Sequence, residues 1–370
     1  MSNRKTLALR VGFAAAIGTL LVTLSPSAMA QVTPAAGYIP PDDKPSFKVG
    51  TTLFLDYTYT DSPTAKNADG STYNPSAFNV GRAYLNFTGQ LNHLFAYRVT
   101  TDLVRNTDTT GALAGSYVVR VKYAFAQFNM DDWLEKGSWI RLGQQQTPYI
   151  DYAEGIYRYR FQYPTMVDKD GFLTSSDIGL SGHFNFPSNY GDVHLGYYNG
   201  EGYNHPEAND QKGFEIRASL RPLPGMEILK GWRVTGFYLS NNIAKGQEAD
   251  RWLVDTTFEH EYVNAGFTYI EATNQSATGS AEVKPKDWSI WVTPRTPFGL
   301  EALIRYDDLK PNQNNNQETK RTIFGVAYWF NYGHGITAAI MADYTNETFN
   351  NYTPAKPDNT FYALHTLFNF

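Results

Sequence analysis

The sequence predicts an all-β chain, a 16-stranded antiparallel transmembrane β-barrel with an inward-folded third external loop. Three observations carry that prediction. Apolar and polar residues alternate through sixteen segments, the connections alternate between short and long, and the last alternating segment ends on Phe370. A period of two places successive side chains on opposite sheet faces. Short turns at one rim and long loops at the other mark a bacterial outer-membrane barrel.

In chain order, residues 1–30 read as a secretory signal peptide: a basic start, an apolar stretch from Leu7 to Leu24, and a small-residue cleavage site ending at Ala30. Its removal takes Arg4, Lys5 and Arg10 from 31 basic residues against 36 acidic ones, so the net charge moves from −5 to −8. Residues 31–45 form a Pro-rich periplasmic lead, and residues 46–370 the barrel. No later apolar run is long enough for a transmembrane helix, and mean hydropathy is −0.42. With no cysteine, disulfides hold none of it. The 26 Tyr, 23 Phe and 30 Gly suit strands with aromatic surfaces.

The predicted strands are Phe47–Tyr59, Ala77–Gln90, Leu94–Val104, Tyr117–Met130, Trp139–Gln146, Thr174–Phe186, Asp192–Asn199 and Gly213–Leu220. They continue as Trp232–Leu239, Trp252–His260, Val263–Ile270, Asp287–Pro294, Leu300–Tyr306, Thr322–Phe330, Ile336–Tyr344 and Thr360–Phe370. Turns such as "LNH", "PSNYG" and "TPFG" alternate with long connections rich in Asn, Thr, Gly and acids. An open edge in lipid would leave backbone groups unpaired at several kcal/mol each, so the sheet must close. Sixteen strands enclose an aqueous channel rather than a packed core.

A mid-strand charge facing lipid costs roughly 2–4 kcal/mol, so Arg82, Arg98, Arg120, Lys122, Arg141, Arg217 and Arg305 are assigned to the lumen. They form either an ordinary solvated wall or a basic track favouring anions. The longest insert, Thr147–Asp170, is too aromatic for disorder and shows neither a sustained helical stripe nor a strand's alternation. As the third external connection it would fold inward and narrow the channel. That brings Tyr149, Asp151, Tyr152, Glu154, Tyr157, Arg158, Tyr159 and Arg160 to the constriction. Arg158 and Arg160 offer planar donors to an oxyanion, and Asp151 and Glu154 would make the eyelet mixed. The other reading is an external or subunit-facing loop with a solvated charge pair.

The runs "RLGQQQTPYI" (Arg141–Ile150), "SSDIGLSGHF" (Ser175–Phe184) and "VHLGYYNGEGYN" (Val193–Asn204) resemble the phosphate-selective porin O and P family. The resemblance implies a trimeric channel of the Gram-negative outer membrane, in contact with its lipid and lipopolysaccharide. Such a channel passes small anions, phosphate among them, along basic lumen residues. Arg141 and its basic neighbours match in kind, whereas lysine is sparse in the loops.

"DKDG" (Asp168–Gly171) echoes a calcium loop without completing the ligand pattern and reads as a turn. The seven His are dispersed without metal-ligand spacing, and no nucleophile elbow is present. The sequence therefore implies no catalytic residue, no cofactor and no nucleic-acid partner. The expected function is passive diffusion of small hydrophilic solutes with anion preference. A channel of weak or cationic selectivity and a structural or adhesive barrel are the other readings.

Overall fold

The structure is a computed structural model, and it describes residues 43–207, 209–275, 280–333 and 336–370. Residues 1–30, expected to be a signal peptide, and residues 31–42 of the expected lead lie outside the described residues.

Sixteen long antiparallel strands form one closed sheet. They are β1 Ser46–Ser62, β2 Ser76–Gln90, β3 Phe95–Arg105, β4 Tyr117–Asn129, β5 Trp139–Gln146, β6 Ser176–Asn185, β7 Gly191–Tyr198 and β8 Gly213–Leu220. The second half comprises β9 Trp232–Ser240, β10 Gln247–His260, β11 Val263–Asn274, β12 Lys286–Pro294, β13 Leu300–Lys310, β14 Glu318–Gly333, β15 Ile336–Asn350 and β16 Asn359–Asn369. Each strand pairs with its neighbours in sequence, and β1 pairs with both β2 and β16. That last pairing closes the ring. The Phe370 carbonyl also accepts from the Thr51 N–H at 2.7 Å, so the terminal aromatic is stitched into the seam.

The faces follow the predicted alternation. On β8, Glu215, Arg217 and Ser219 are buried while Phe214 and Leu220 are exposed. On β14, Phe324 and Val326 are exposed, and Ile323, Ala327 and Trp329 are covered. Exposed apolar side chains on the outer face are what a lipid solvent requires.

Several strands run beyond their predicted ends. β10 begins at Gln247, β13 reaches Lys310, β14 begins at Glu318 and β15 reaches Asn350. The apolar alternation stops at the edge of the lipid band, but backbone pairing continues into the polar hairpins above it. Asn242–Ala244 adds a short piece against β10, and Ala65–Lys66 pairs with Thr72–Tyr73 in the first long loop.

Two local irregularities shape the inner wall. The β3–β4 register slips between Thr100 and Thr101, so Lys122 is the extra residue of a bulge. Lys122 and Tyr123 are consequently both buried on the inner side, since a bulge re-aims the strand's side chains. At Gly143 on β5, φ is +126° and a Cβ would stand 2.4 Å from the Ala124 carbonyl oxygen, so β4 and β5 approach as only glycine allows.

Candidate constriction site

The insert between β5 and β6 contains two helices, α1 Ile150–Tyr157 and α2 Met166–Lys169. The absence of a sustained helical stripe is thus corrected by an eight-residue helix. Its buried residues, Ile150, Ile156 and Tyr157, are too few for a period to show in sequence. Arg158 ends α1 in the left-handed region at φ 68°, and its N–H bonds the Glu154 carbonyl. A non-glycine residue there is uncommon, and this one turns the guanidinium onto the wall.

The insert is bonded to widely separated strands, always on the face opposite the exposed apolar one, so it crosses the barrel interior. The Tyr152 hydroxyl lies 2.7 Å from Ser219 Oγ on β8 and 3.0 Å from Thr235 Oγ1 on β9. Tyr159 donates to Glu301 on β13 at 2.9 Å. Gln162 donates to Asp343 on β15 at 2.8 Å. From the other side, Tyr123 on β4 donates to Asp151 at 2.9 Å.

Beneath these bonds lies an apolar layer. Tyr149 packs with Phe237, Leu253 and Ile270, while Tyr157, Tyr159 and Phe161 pack with Trp291, Ile323 and Trp329. The inner face of β14, with Ile323, Ala327 and Trp329, is apolar because it receives this layer.

Four arginines fix the insert's chain. Arg217 donates to the Pro148 carbonyl at 2.8 Å and pairs with Asp192. Arg305 donates to the Pro164 carbonyl at 2.6 Å and to the Tyr157 hydroxyl at 3.2 Å, and it pairs with Asp307. Arg251 donates to the Phe172 carbonyl at 2.9 Å, and Arg321 holds Asp170. Arginine's fan of donors suits otherwise unpaired carbonyls and carboxylates together.

The predicted lumen set therefore divides. Arg217 and Arg305 face inward as expected but lie buried beneath the insert, each paired with a carboxylate and donating to the insert's backbone. Tyr149, Tyr157 and Tyr159 are buried in the packing layer, and Tyr152 is bonded to Ser219 and Thr235 on the wall. Asp151, Glu154, Arg158 and Arg160 face a cavity of about 550 Å³ left between the insert and β1–β4.

Arg98 and Lys122 face the same cavity from the wall. Arg98 bonds Asn86 and Thr100 at 2.9 Å, and Lys122 sits against the Tyr84 and Tyr123 rings. Arg82 and Arg120 share the single carboxylate of Asp102, each at 2.9 Å. Arg141 bonds Gln127 and Gln146 and stacks on Trp139. By register, the cations descend the β2–β5 wall from Arg82 and Arg120, past Lys122 and Arg98, to Arg141.

On the insert side the charges are matched. Arg158 pairs with Glu301 at 3.2 Å and covers Trp329, and Arg160 pairs with Glu154 at 2.6 Å and Asp168 at 3.3 Å. Burial pushes the Glu154 carboxyl up to about 7, against the pull of Arg160.

The sequence reading did not single out Glu301, Arg321 or Tyr123 for these roles. Alternation put Glu301 inward, but its partners arrive from more than 140 positions away. Arg321 lay in a predicted loop, and Tyr123 needs the bulge.

A closed sixteen-stranded barrel crossed inside by an anchored loop, with a charged opening beside it, defines an outer-membrane porin. The model of the phosphate-selective porin O and P family matches residues 47–222, from β1 through β8. This bears out the resemblance of the three central runs.

No curated protein matches the chain in sequence. Among solved structures it is similar to an anion-selective porin from Comamonas acidovorans at 10% identity and TM-score 0.60, covering 88% of this chain and 100% of that one. Salmonella typhi OmpF in complex with daunomycin gives 16% identity and TM-score 0.60, covering 88% and 97%. The trimer form of Vibrio cholerae OmpT gives 13% identity and TM-score 0.55, covering 89% and 100%. At these identities the likeness is one of fold.

Proposed function

We propose that this outer-membrane channel passes small hydrophilic solutes by diffusion and favours anions. One observation carries the reading. Among the described residues, the hydrogen-bonding and ring partners of Arg98, Lys122 and Arg141 on the β3–β5 wall are neutral, whereas the insert's carboxylate Glu154 is paired with Arg160. The cavity's lining holds four cations, Arg98, Lys122, Arg158 and Arg160, against two carboxylates, Asp151 and Glu154. Selectivity is set by charge at the constriction rather than by total charge, so a net charge of −5, or −8 without residues 1–30, does not oppose it. The same reading takes residues 1–30 as a cleaved leader and the functional unit as a homotrimer, in keeping with the trimeric Vibrio cholerae neighbour.

The test is a reversal potential across a planar bilayer under a KCl gradient. A potential showing that chloride carries most of the current is expected. A potential showing that potassium carries it would replace this reading with that of a cation-selective or general porin. The mass of the detergent-extracted, unheated protein tests the trimer.

A further inference from the structure

The opening has two unlike walls. On one side Arg98 and Lys122 present their charges among Asn86 and Thr100. Facing them is the edge of the apolar layer beneath the insert: Phe54 from β1, Leu367 from β16, Trp329 from β14 and Phe161 from the insert itself all line the same cavity. Arg158 adds a guanidinium over the Trp329 ring, with 4.4 Å from its carbon to the ring centroid.

These four side chains are largely covered, yet each keeps an edge on the cavity, which a loop serving only to narrow an aqueous channel does not need. Water against such a surface is unfavourable in proportion to the area wetted. A hydrated inorganic anion would gain from the cations alone. A solute carrying an anionic head and an apolar body satisfies both walls at once. The cavity's 550 Å³ falls within the ~300–1,000 Å³ of sites that take small organic molecules.

Resting on the anion preference proposed above, we infer that the favoured solutes are organic anions with an apolar body, of the aromatic carboxylate or sulfonate class. The head group lies at Arg98 and Lys122, and the body lies on Phe161, Trp329 and Leu367.

Two permanently charged probes with the same head group, benzenesulfonate and methanesulfonate, separate the walls. Added to the wild-type channel in KCl, benzenesulfonate is expected to reduce single-channel current at a concentration about tenfold below that of methanesulfonate, the size of effect that burying a few apolar groups produces. Leu367→Asn should bring the two probes close together, and Phe54→Asn gives the same readout on a second strand. Lys122→Gln should weaken both probes by the same factor. Equal block by both probes on the wild type, or stronger block by inorganic phosphate than by benzenesulfonate, would overturn the inference while leaving anion preference standing. A KCl reversal potential showing potassium as the carrier would instead remove the reading beneath it.

Discussion

Arg321 on β14 grips Asp170, at the C-terminal limb of the insert, through two hydrogen bonds of 3.0 and 2.9 Å. The same guanidinium reaches Asp307 at 2.7 Å and Glu347 at 2.7 Å. One side chain thus joins the insert to three strands. Removing one partner from a buried ion pair costs about 3–5 kcal/mol, because the remaining charge is left unpaired. Arg321→Met is therefore expected to lower the temperature at which the barrel loses its folded electrophoretic mobility and to make single-channel current noisier. An unchanged mobility transition would show that the insert is held elsewhere.

Tyr159→Phe isolates one anchor without altering the layer beneath it. It removes the hydrogen bond to Glu301 and leaves the Trp329 indole N–H without its acceptor. A loss of about 1–3 kcal/mol is expected for a buried acceptor deprived of its donor, read as a lower unfolding midpoint in urea. Phe fills nearly the same volume, so packing loss does not confuse the outcome.

The two halves of the basic set should separate in one experiment. Arg98→Gln and Lys122→Gln are expected to move the KCl reversal potential toward potassium with little change in thermal stability. Arg217→Gln should mainly destabilise, since it leaves Asp192 with His183 alone and the Pro148 carbonyl without a donor. Equal selectivity shifts in all three would mean that the buried arginine also addresses the solute.

Glu154 is expected to make selectivity depend on pH. Its carboxyl is pushed up to about 7 from 4.5, so it is charged at pH 8 and largely neutral at pH 6. Neutralising it raises the positive balance of the opening. Anion preference should therefore grow as pH falls from 8 to 6, and Glu154→Gln should remove that dependence. The stability sign is the same: a raised carboxyl contributes stability below its unfolded value, and this is lost as pH rises through 7. A flat reversal potential between pH 6 and 8 would exclude Glu154 from the selectivity.

At the opposite rim His93, in the β2–β3 turn, bridges Asp43 of the lead and Asp132 of the next turn, the latter at 3.0 Å. Hydrogen bonds to these carboxylates raise the imidazole above its usual 6.5. The clamp is complete below pH 6.5 and is released as pH rises through the raised value. Protease cleavage of the lead should be faster at pH 9 than at pH 6, and His93→Asn should abolish the difference. Equal cleavage rates in the wild type at both pH values would count against the clamp.

The barrel was legible in the sequence because alternation, turn length and closure are local or topological signals, and lipid punishes any exception to them. Strand ends were less legible, since Gln247–Arg251 and Thr345–Asn350 pair without an apolar period to mark them. The division of the arginines was not legible at all. Arg98 and Arg217 sit on equally alternating inner faces, and nothing in their neighbours tells a half-buried cation bordering the opening from one capping the Pro148 carbonyl.

The sequence by itself determined a closed sixteen-stranded barrel, its inner and outer faces, and the insert Thr147–Asp170 as its third long connection. Each follows from the two-residue period and from the cost of an unpaired edge in lipid. Only the tertiary structure decided which side of the lumen the insert occupies. Its apolar layer docks on β9–β16, where Trp291, Ile323 and Trp329 receive it, and so the opening is left against Arg98 and Lys122. That choice depends on contacts between residues more than a hundred positions apart, which no local pattern encodes.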